Sequence, residues 1–222
     1  MPMLILNSKI PGHSSVKNII FDFGGVICDL EIQRSVDKFK AFGKPKTEDT
    51  ASQEEKDQRF EHLVSTYETG LITSQQFRNE IRNYYLVPPS DQAIDDAWNA
   101  LLVGIPETRI GLLENIRKSY RIFLLSNSND IHYLNFCESL RQVYGYQDFN
   151  AIFENAYFSY RLHMRKPDPL IFKWVLDTSK LIPSETLFID DTLINVQAAI
   201  ELGINVYHLP EGEDITSLFI KQ

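Results

Sequence analysis

The chain has 222 residues, 43% of them hydrophobic, with 14 Phe and 10 Tyr; that suits one medium domain, or a core with a smaller insert, and excludes wholesale disorder. A net charge of −8 excludes broad electrostatic capture of nucleic acid or of an anionic membrane. Cys28 and Cys137, the two cysteines, make neither a disulfide framework nor a zinc-type cluster, so reduced thiols in a cytoplasmic protein are expected.

The opening stretch, MPMLILNSKIPGHSS, has too short an apolar run for a signal peptide, and no segment approaches a membrane span. Residues 1–15 are expected to form a tail or an added strand. Asn18-Ile19-Ile20-Phe21 then reads as a buried strand, too short for a helix and rich in β-branched and aromatic residues. From residue 31 to residue 105 the pattern is helical. Phe60, Leu63 and Tyr67 form one stripe, Phe77, Ile81 and Tyr84 a second, Ile94, Trp98 and Leu101 a third. Val87-Pro88-Pro89-Ser90-Asp91 ends one helix and caps the next. This stretch is expected to be a helical cap domain, its aromatic residues (Phe39, Phe42, Tyr84 and Tyr85 among them) packing together or lining a site.

Further along, a helix carrying Ile110, Leu113 and Ile116 precedes a strand over Arg121–Leu125, and Ala156–Ser159 is a weaker strand. A helix with Phe172, Val175 and Leu176 leads to a strand at Thr186–Ile189. Val196, Ala199 and Ile200 mark the next helix, with Gly203 as its stop, before a strand at Asn205–Leu209. Strands alternating with helices predict an α/β fold, a Rossmann-like, mostly parallel sheet formed by residues 16–30 and 106–222.

In open parallel sheets ligands bind beyond the carboxyl ends of the strands. The residues there are Asp22-Phe23-Gly24-Gly25-Val26, Ser126-Asn127-Ser128-Asn129 and Asp190-Asp191-Thr192, with Arg165-Lys166-Pro167-Asp168 after the weak strand. Singly, each has an ordinary reading: a glycine turn, a helix cap, a solvated lysine, an acidic first turn. Together they are four polar elements of complementary type that one fold would gather in one place. The set fits phosphoryl transfer. Asp22 would attack a phosphate and form an aspartyl phosphate that water hydrolyses. Like-charge repulsion between the two calls for a bridging cation, and Asp22 with Asp191 suits a hard ion such as Mg²⁺. Lys166 adds positive charge, Ser126 and nearby N–H groups donate hydrogen bonds, and Gly24 and Gly25 allow close backbone approach.

In order and spacing, Asp22-Phe23-Gly24-Gly25-Val26, Leu125-Ser126-Asn127, Arg165-Lys166-Pro167 and Ile189-Asp190-Asp191 resemble the four motifs of the haloacid dehalogenase superfamily. The helical stretch resembles the cap of one of its subclasses. The branch with bacterial α-glucose-1-phosphate phosphatases and the phosphatase half of soluble epoxide hydrolases looks nearest. The resemblance implies a phosphatase acting on a small phosphate monoester, such as a hexose 1-phosphate, with Asp22, Lys166 and Ser126 catalytic. It implies substrate contacts from Ser126, Asn127, Lys166 and Gly25. It also implies Mg²⁺ held by Asp22, the Gly24 carbonyl and Asp191, with Asp190 as ligand or support and Asn195 as support. A small phosphorylated molecule is the expected partner, without nucleic acid or membrane, and the chain is a monomer or homodimer.

One departure matters. Most phosphatases of the superfamily have a second aspartate two positions after the nucleophile, where this chain has Gly24. General acid–base help is worth about 10²–10⁴-fold, so an activated leaving group, such as an anomeric one, suits the chain best unless Asp29 or a cap residue substitutes. Two other readings stand beside this one. One is a metal-independent 2-haloacid dehalogenase, against which the Asp190-Asp191 pair argues, because uncompensated carboxylates repel. The other is a catalytically weak ligand-binding relative. Asp-Phe-Gly also occurs in protein kinases, but no His-Arg-Asp loop or glycine-rich flap precedes it here. Cys28 reads as an inert buried thiol, and His132 and His163 have no partner visible in the sequence.

Overall fold

The computed structural model describes residues 4–10, 12–46 and 52–221; residues 1–3 and 11 of the expected tail, 47–51 of the helical stretch and 222 lie outside it. The strands are β1 (Leu4–Leu6), β2 (Asn18–Phe21), β3 (Asp29–Leu30), β4 (Leu102–Gly104), β5 (Arg121–Ser126), β6 (Asn155–Phe158), β7 (Thr186–Asp190), β8 (Asn205–His208) and β9 (Phe219–Lys221). The helices are α1 (Ile32–Ala41), α2 (Gln53–Glu68), α3 (Ser74–Tyr84), α4 (Asp91–Trp98), α5 (Glu107–Ile116), α6 (Asp130–Ser139), α7 (Ser159–Leu162), α8 (Pro169–Ser179) and α9 (Leu193–Ile200).

Five strands form one parallel sheet in the order β6-β5-β2-β7-β8. The short apolar runs become its strands because both faces are covered. Ile19, Phe21, Leu124 and Ile189 pack on the side of Leu113 and Phe136, while Ile20, Phe123, Leu125 and Phe188 pack on the side of Phe172 and Val175. The central strand β2 is buried at all four positions, so its C-terminal end opens in the middle of the sheet edge. The weak candidate near residue 156 is the edge strand β6, whose Asn155 is exposed. No helix among the described residues is long and apolar enough to cross a membrane.

At the N-terminus, β1 pairs antiparallel with β9, and Leu6 and Ile10 are buried in the core. This stretch is therefore an added strand and not a loose tail. A second small ladder joins β3 to β4, so the chain leaves for α1–α4 and returns from them side by side.

In the helical insert α1–α4, side chains cap the last three helices as the sequence dictates. Ser52 with Glu55 and Thr73 with Gln76 make capping boxes, and Ser90 caps α4. The stripe Ile94, Trp98, Leu101 is only partly α-helical: α4 ends at Trp98, and 99–101 tighten into a 3₁₀ turn before β4. Tyr67, Phe77, Ile81, Tyr85, Ile94 and Trp98 form the insert's own cluster, which Ile131 of α6 joins. Phe39, Phe42 and Tyr85 pack edge to face, and Tyr85 Oη donates to Phe39 O at 2.8 Å. A cleft of about 1080 Å³ opens among α1, α2 and α3, lined by Phe39, Phe60, Tyr84 and Tyr85 among others and by none of the strand-end residues.

Candidate active site

Three carboxylates and one ammonium meet beyond the carboxyl ends of β2 and β7. Asp22 follows β2, Asp190 ends β7 and Asp191 comes next; one oxygen of each lies within 4.8 Å of the others. Lys166, from the segment between α7 and α8, donates from Nζ to Asp22 Oδ1 and to Asp190 Oδ2, both at 2.6 Å. Lys166 and Asp190 are fully buried and Asp22 nearly so. Charges buried this deeply persist only when paired, because desolvation is expensive.

The electrostatics are unbalanced. Burial pushes the Asp22 carboxyl up to about 7, Lys166 opposing the shift and Asp190 adding to it. Burial and then Asp190 also raise Asp191. Burial works to lower Lys166, yet Asp22 and Asp190 outweigh it and hold the ammonium above its usual value. One ammonium against three carboxylates leaves an excess of hard oxygen donors, the donor set that suits a divalent cation such as Mg²⁺.

The carboxylates are not equivalent. Asp190 Oδ1 accepts from Thr192 N–H at 2.7 Å and Asn195 Nδ2 at 3.1 Å; Oδ2 accepts from Lys166 and from Asn195 Nδ2 at 3.1 Å. Both oxygens are thus taken by donors, and Asp190 is placed to orient its neighbours. Asp191 is more open, and its backbone carbonyl accepts from His208 Nε2–H at 2.9 Å. His208 escaped the sequence reading because nothing in β8 marks a residue that reaches across to the next loop.

Other residues read from the sequence land nearby. Asn127, a predicted substrate contact, also holds the Lys166 peptide: Oδ1 accepts the Lys166 N–H and Nδ2 donates to the Lys166 carbonyl, each at 2.9 Å. Ser126 is buried at the end of β5, with only a long 3.4 Å contact from Oγ to Asn127 O. Gly25 has φ +74°, and its N–H donates to Cys28 O at 2.9 Å, so that donor closes a turn. A Cβ on Gly25 would lie 2.0 Å from Asp191 Oδ2. Cys28 is buried, and burial above all pushes its thiol up to about 11, which keeps it inert at neutral pH.

The helical insert closes over this edge. Arg165 Nη2 is 2.9 Å from Glu68 Oε2, and Arg165 Nη1 donates to Ser65 Oγ at 3.2 Å. His163 Nδ1 donates to Thr69 O at 3.0 Å. Gly70 lies so close to Tyr160 that an added Cβ would be 2.2 Å from its carbonyl oxygen. On the other flank, Trp98 Nε1 donates to Asn129 Oδ1 at 3.3 Å, and His132 Nε2 donates to Trp98 O at 3.1 Å. His132 stacks on the Trp98 ring, and burial pushes it down to about 4, so the ring is neutral. Both histidines without visible partners are thus contacts between insert and core.

A family model for haloacid dehalogenase-like hydrolases matches residues 16–203. A D-ribitol-5-phosphate phosphatase of Bacteroides thetaiotaomicron is 30% identical over 199 residues, covering 90% of this chain and 94% of that protein. A haloacid dehalogenase family enzyme of the same organism, solved with magnesium and inorganic phosphate, is 38% identical with a TM-score of 0.80, covering 91% of this chain and 98% of that one. A predicted haloacid dehalogenase-like hydrolase of Porphyromonas gingivalis has 30% identity and a TM-score of 0.79, covering 91% and 95%. A 2-haloacid dehalogenase of Pseudomonas syringae pv. tomato, at 18% identity and TM-score 0.55 over 89% of this chain and 88% of that one, shares the fold alone. With its parallel sheet, its four strand-end elements and a match over most of its length, the chain belongs to the haloacid dehalogenase-like hydrolase family.

Proposed function

We propose that the chain is a Mg²⁺-dependent phosphatase that hydrolyses a small sugar or sugar-alcohol phosphate through an aspartyl phosphate on Asp22. The observation that carries this is the bridge of Lys166 Nζ between Asp22 and Asp190 at 2.6 Å, with Asp191 alongside. The D-ribitol-5-phosphate phosphatase and the magnesium–phosphate complex among its relatives support it. The first of these acts on the phosphate ester of a polyhydroxylated molecule, and the second holds magnesium and inorganic phosphate; a hexose 1-phosphate belongs to the same class of ester as the first's substrate.

The residues divide the work. Asp22 attacks phosphorus, and Lys166 offsets negative charge on the transferring oxygens. Asp190 and Asn127 hold Lys166 at its ammonium and at its backbone. Asp22 and Asp191 would hold Mg²⁺, with the Gly24 carbonyl as the third protein ligand. When bound, the ion offsets charge on nucleophile and phosphate together. Asn195 orients Asp190 through both oxygens.

A panel of sugar 1-phosphates, ribitol 5-phosphate, p-nitrophenyl phosphate and a 2-haloacid, with Mg²⁺ and with chelator, tests the proposal. Phosphate release that needs the metal and disappears in Asp22→Asn, with the fold intact by circular dichroism, is the expected result. Equal rates with and without metal, or halide release, would overturn it.

A further inference from the structure

Gly24 is a glycine for a reason that lies outside its own backbone. Its φ is not in the left-handed region, so the chain there accepts an L residue. What bars a side chain is Leu30. A Cβ on Gly24 would lie 2.8 Å from Leu30 Cδ1, 3.6 Å from its Cγ and 3.9 Å from its Cδ2. The leucine fills the place that a side chain at position 24 would take.

That place belongs to the site. Two residues of chain span at most about 7 Å, so Gly24 stays close to Asp22. On its other side, Gly25 packs against Asp191 Oδ2, and one oxygen of Asp191 lies within 4.8 Å of one of Asp22. Leu30 nevertheless keeps 40% of its surface exposed. It is also pinned from both sides. Before it, Arg109 Nη1 is 2.7 Å from Asp29 Oδ1 and donates to Ile27 O at 3.2 Å, while Arg109 Nε donates to Asp214 Oδ2 at 2.8 Å. At and after it, Leu30 faces Leu102 on the β3–β4 ladder and the Glu31 N–H donates to Leu101 O at 2.8 Å. A wall already fixed in place costs a ligand little ordering entropy. An apolar wall offers nothing to a cation or a phosphate; it suits the carbon part of an ester.

Resting on the phosphatase reading, we infer that Leu30 is a specificity-determining residue: over Gly24 and beside the nucleophile, it forms the wall against which the organic group of the phosphate ester packs. The esters it favours turn hydrocarbon, or the C–H face of a sugar alcohol, toward position 24. Inorganic phosphate has no such part and does not feel the wall. Gly24 and Leu30 act as one unit, the first kept small so that the second can reach in.

The test compares wild type, Leu30→Ala, Leu30→Met, Leu30→Asn, Gly24→Ala and the double variant Gly24→Ala/Leu30→Ala, all with Mg²⁺. The substrates are p-nitrophenyl phosphate and ribitol 5-phosphate, and inorganic phosphate serves as competitive inhibitor. Leu30→Ala is expected to raise KM for the aryl ester about tenfold, with kcat changed less and the phosphate inhibition constant unmoved. Leu30→Met should keep the wild-type KM, and Leu30→Asn should shift preference from the aryl ester toward the polyol ester. Gly24→Ala should push Leu30 aside and raise KM in the same way. In the Leu30→Ala background it should add little, because residues in contact do not act additively. The Gly24→Ala arm decides the matter if Leu30→Ala does not fold. An unchanged KM in Leu30→Ala would overturn the inference. So would a KM and a phosphate inhibition constant that rise together, since that marks a disturbance of the whole site, or full additivity of the two substitutions. A wild type with no Mg²⁺-dependent turnover of either ester would instead defeat the phosphatase reading on which the inference rests.

Discussion

Asn127 grips the Lys166 peptide from both sides, accepting its N–H and donating to its carbonyl, each at 2.9 Å. The ammonium at the other end of that side chain is fixed by Asp22 and Asp190. Lys166 is thus held at both ends, by a loop after β5 and by the strands next to it.

Asn127→Ala removes both backbone bonds, each worth about 1 kcal/mol. The Lys166 loop is then free to shift while the ammonium stays attracted to two carboxylates. We expect kcat to fall about tenfold or more, with KM changed less and the melting temperature lowered by a few degrees. Steady-state kinetics beside a thermal melt separates the two effects; unchanged kcat would mean that the ion pairs alone position the lysine.

His132 makes the fold sensitive to acid. Burial holds it near 4 in the folded protein, against about 6.5 when unfolded. The unfolded chain therefore binds the extra proton first as pH falls. The contribution is fully present above about 6.5 and is lost progressively toward about 4, amounting to about 3 kcal/mol at most. Asp22, Asp191 and Glu68, all raised, act in the opposite direction over part of this range, so only a comparison isolates the histidine. Urea midpoints between pH 7.5 and 4.5 should fall more steeply for wild type than for His132→Gln. Parallel slopes would show that the ring is not titrating.

Gly25→Ala meets two obstacles, a φ of +74° and Asp191 Oδ2 at 2.0 Å from the new Cβ. The backbone cost is about 1–2 kcal/mol; the displaced carboxylate matters more. Apparent Mg²⁺ affinity, read from the metal dependence of kcat, should weaken at least tenfold while the protein stays folded. Retained affinity would remove Asp191 from the metal's donor set.

The parallel sheet was legible because its strands announce themselves locally: Asn18–Phe21 and Thr186–Ile189 are unbroken apolar runs, and a strand buried on both faces needs nothing else. The strand-end rule then brought Asp22, Asp190 and Asp191 together without any long-range information. What depended on distant partners was not legible. β1 pairs with β9 across nearly the whole chain, and two three-residue strands carry no periodicity. Ser65 and Arg165 meet from 100 residues apart, so nothing in the sequence around either marks the contact. Asn127 sits where a substrate contact is expected, and only the position of the Lys166 backbone shows that its amide also grips a peptide. Gly24 could be read as a missing acid, but not that Leu30 fills the space.

The β3–β4 ladder has a consequence for how such a chain can be built. Leu30 faces Leu102 across one rung, so the two ends of the helical excursion are neighbours in space. Antiparallel partners stand about 4.5–5.5 Å apart, a gap that a short turn spans. A segment whose ends already touch imposes little closure entropy on the sheet it leaves. The lid is, in effect, a cassette: it can be lengthened, shortened or exchanged at one doorway while the catalytic floor keeps its register.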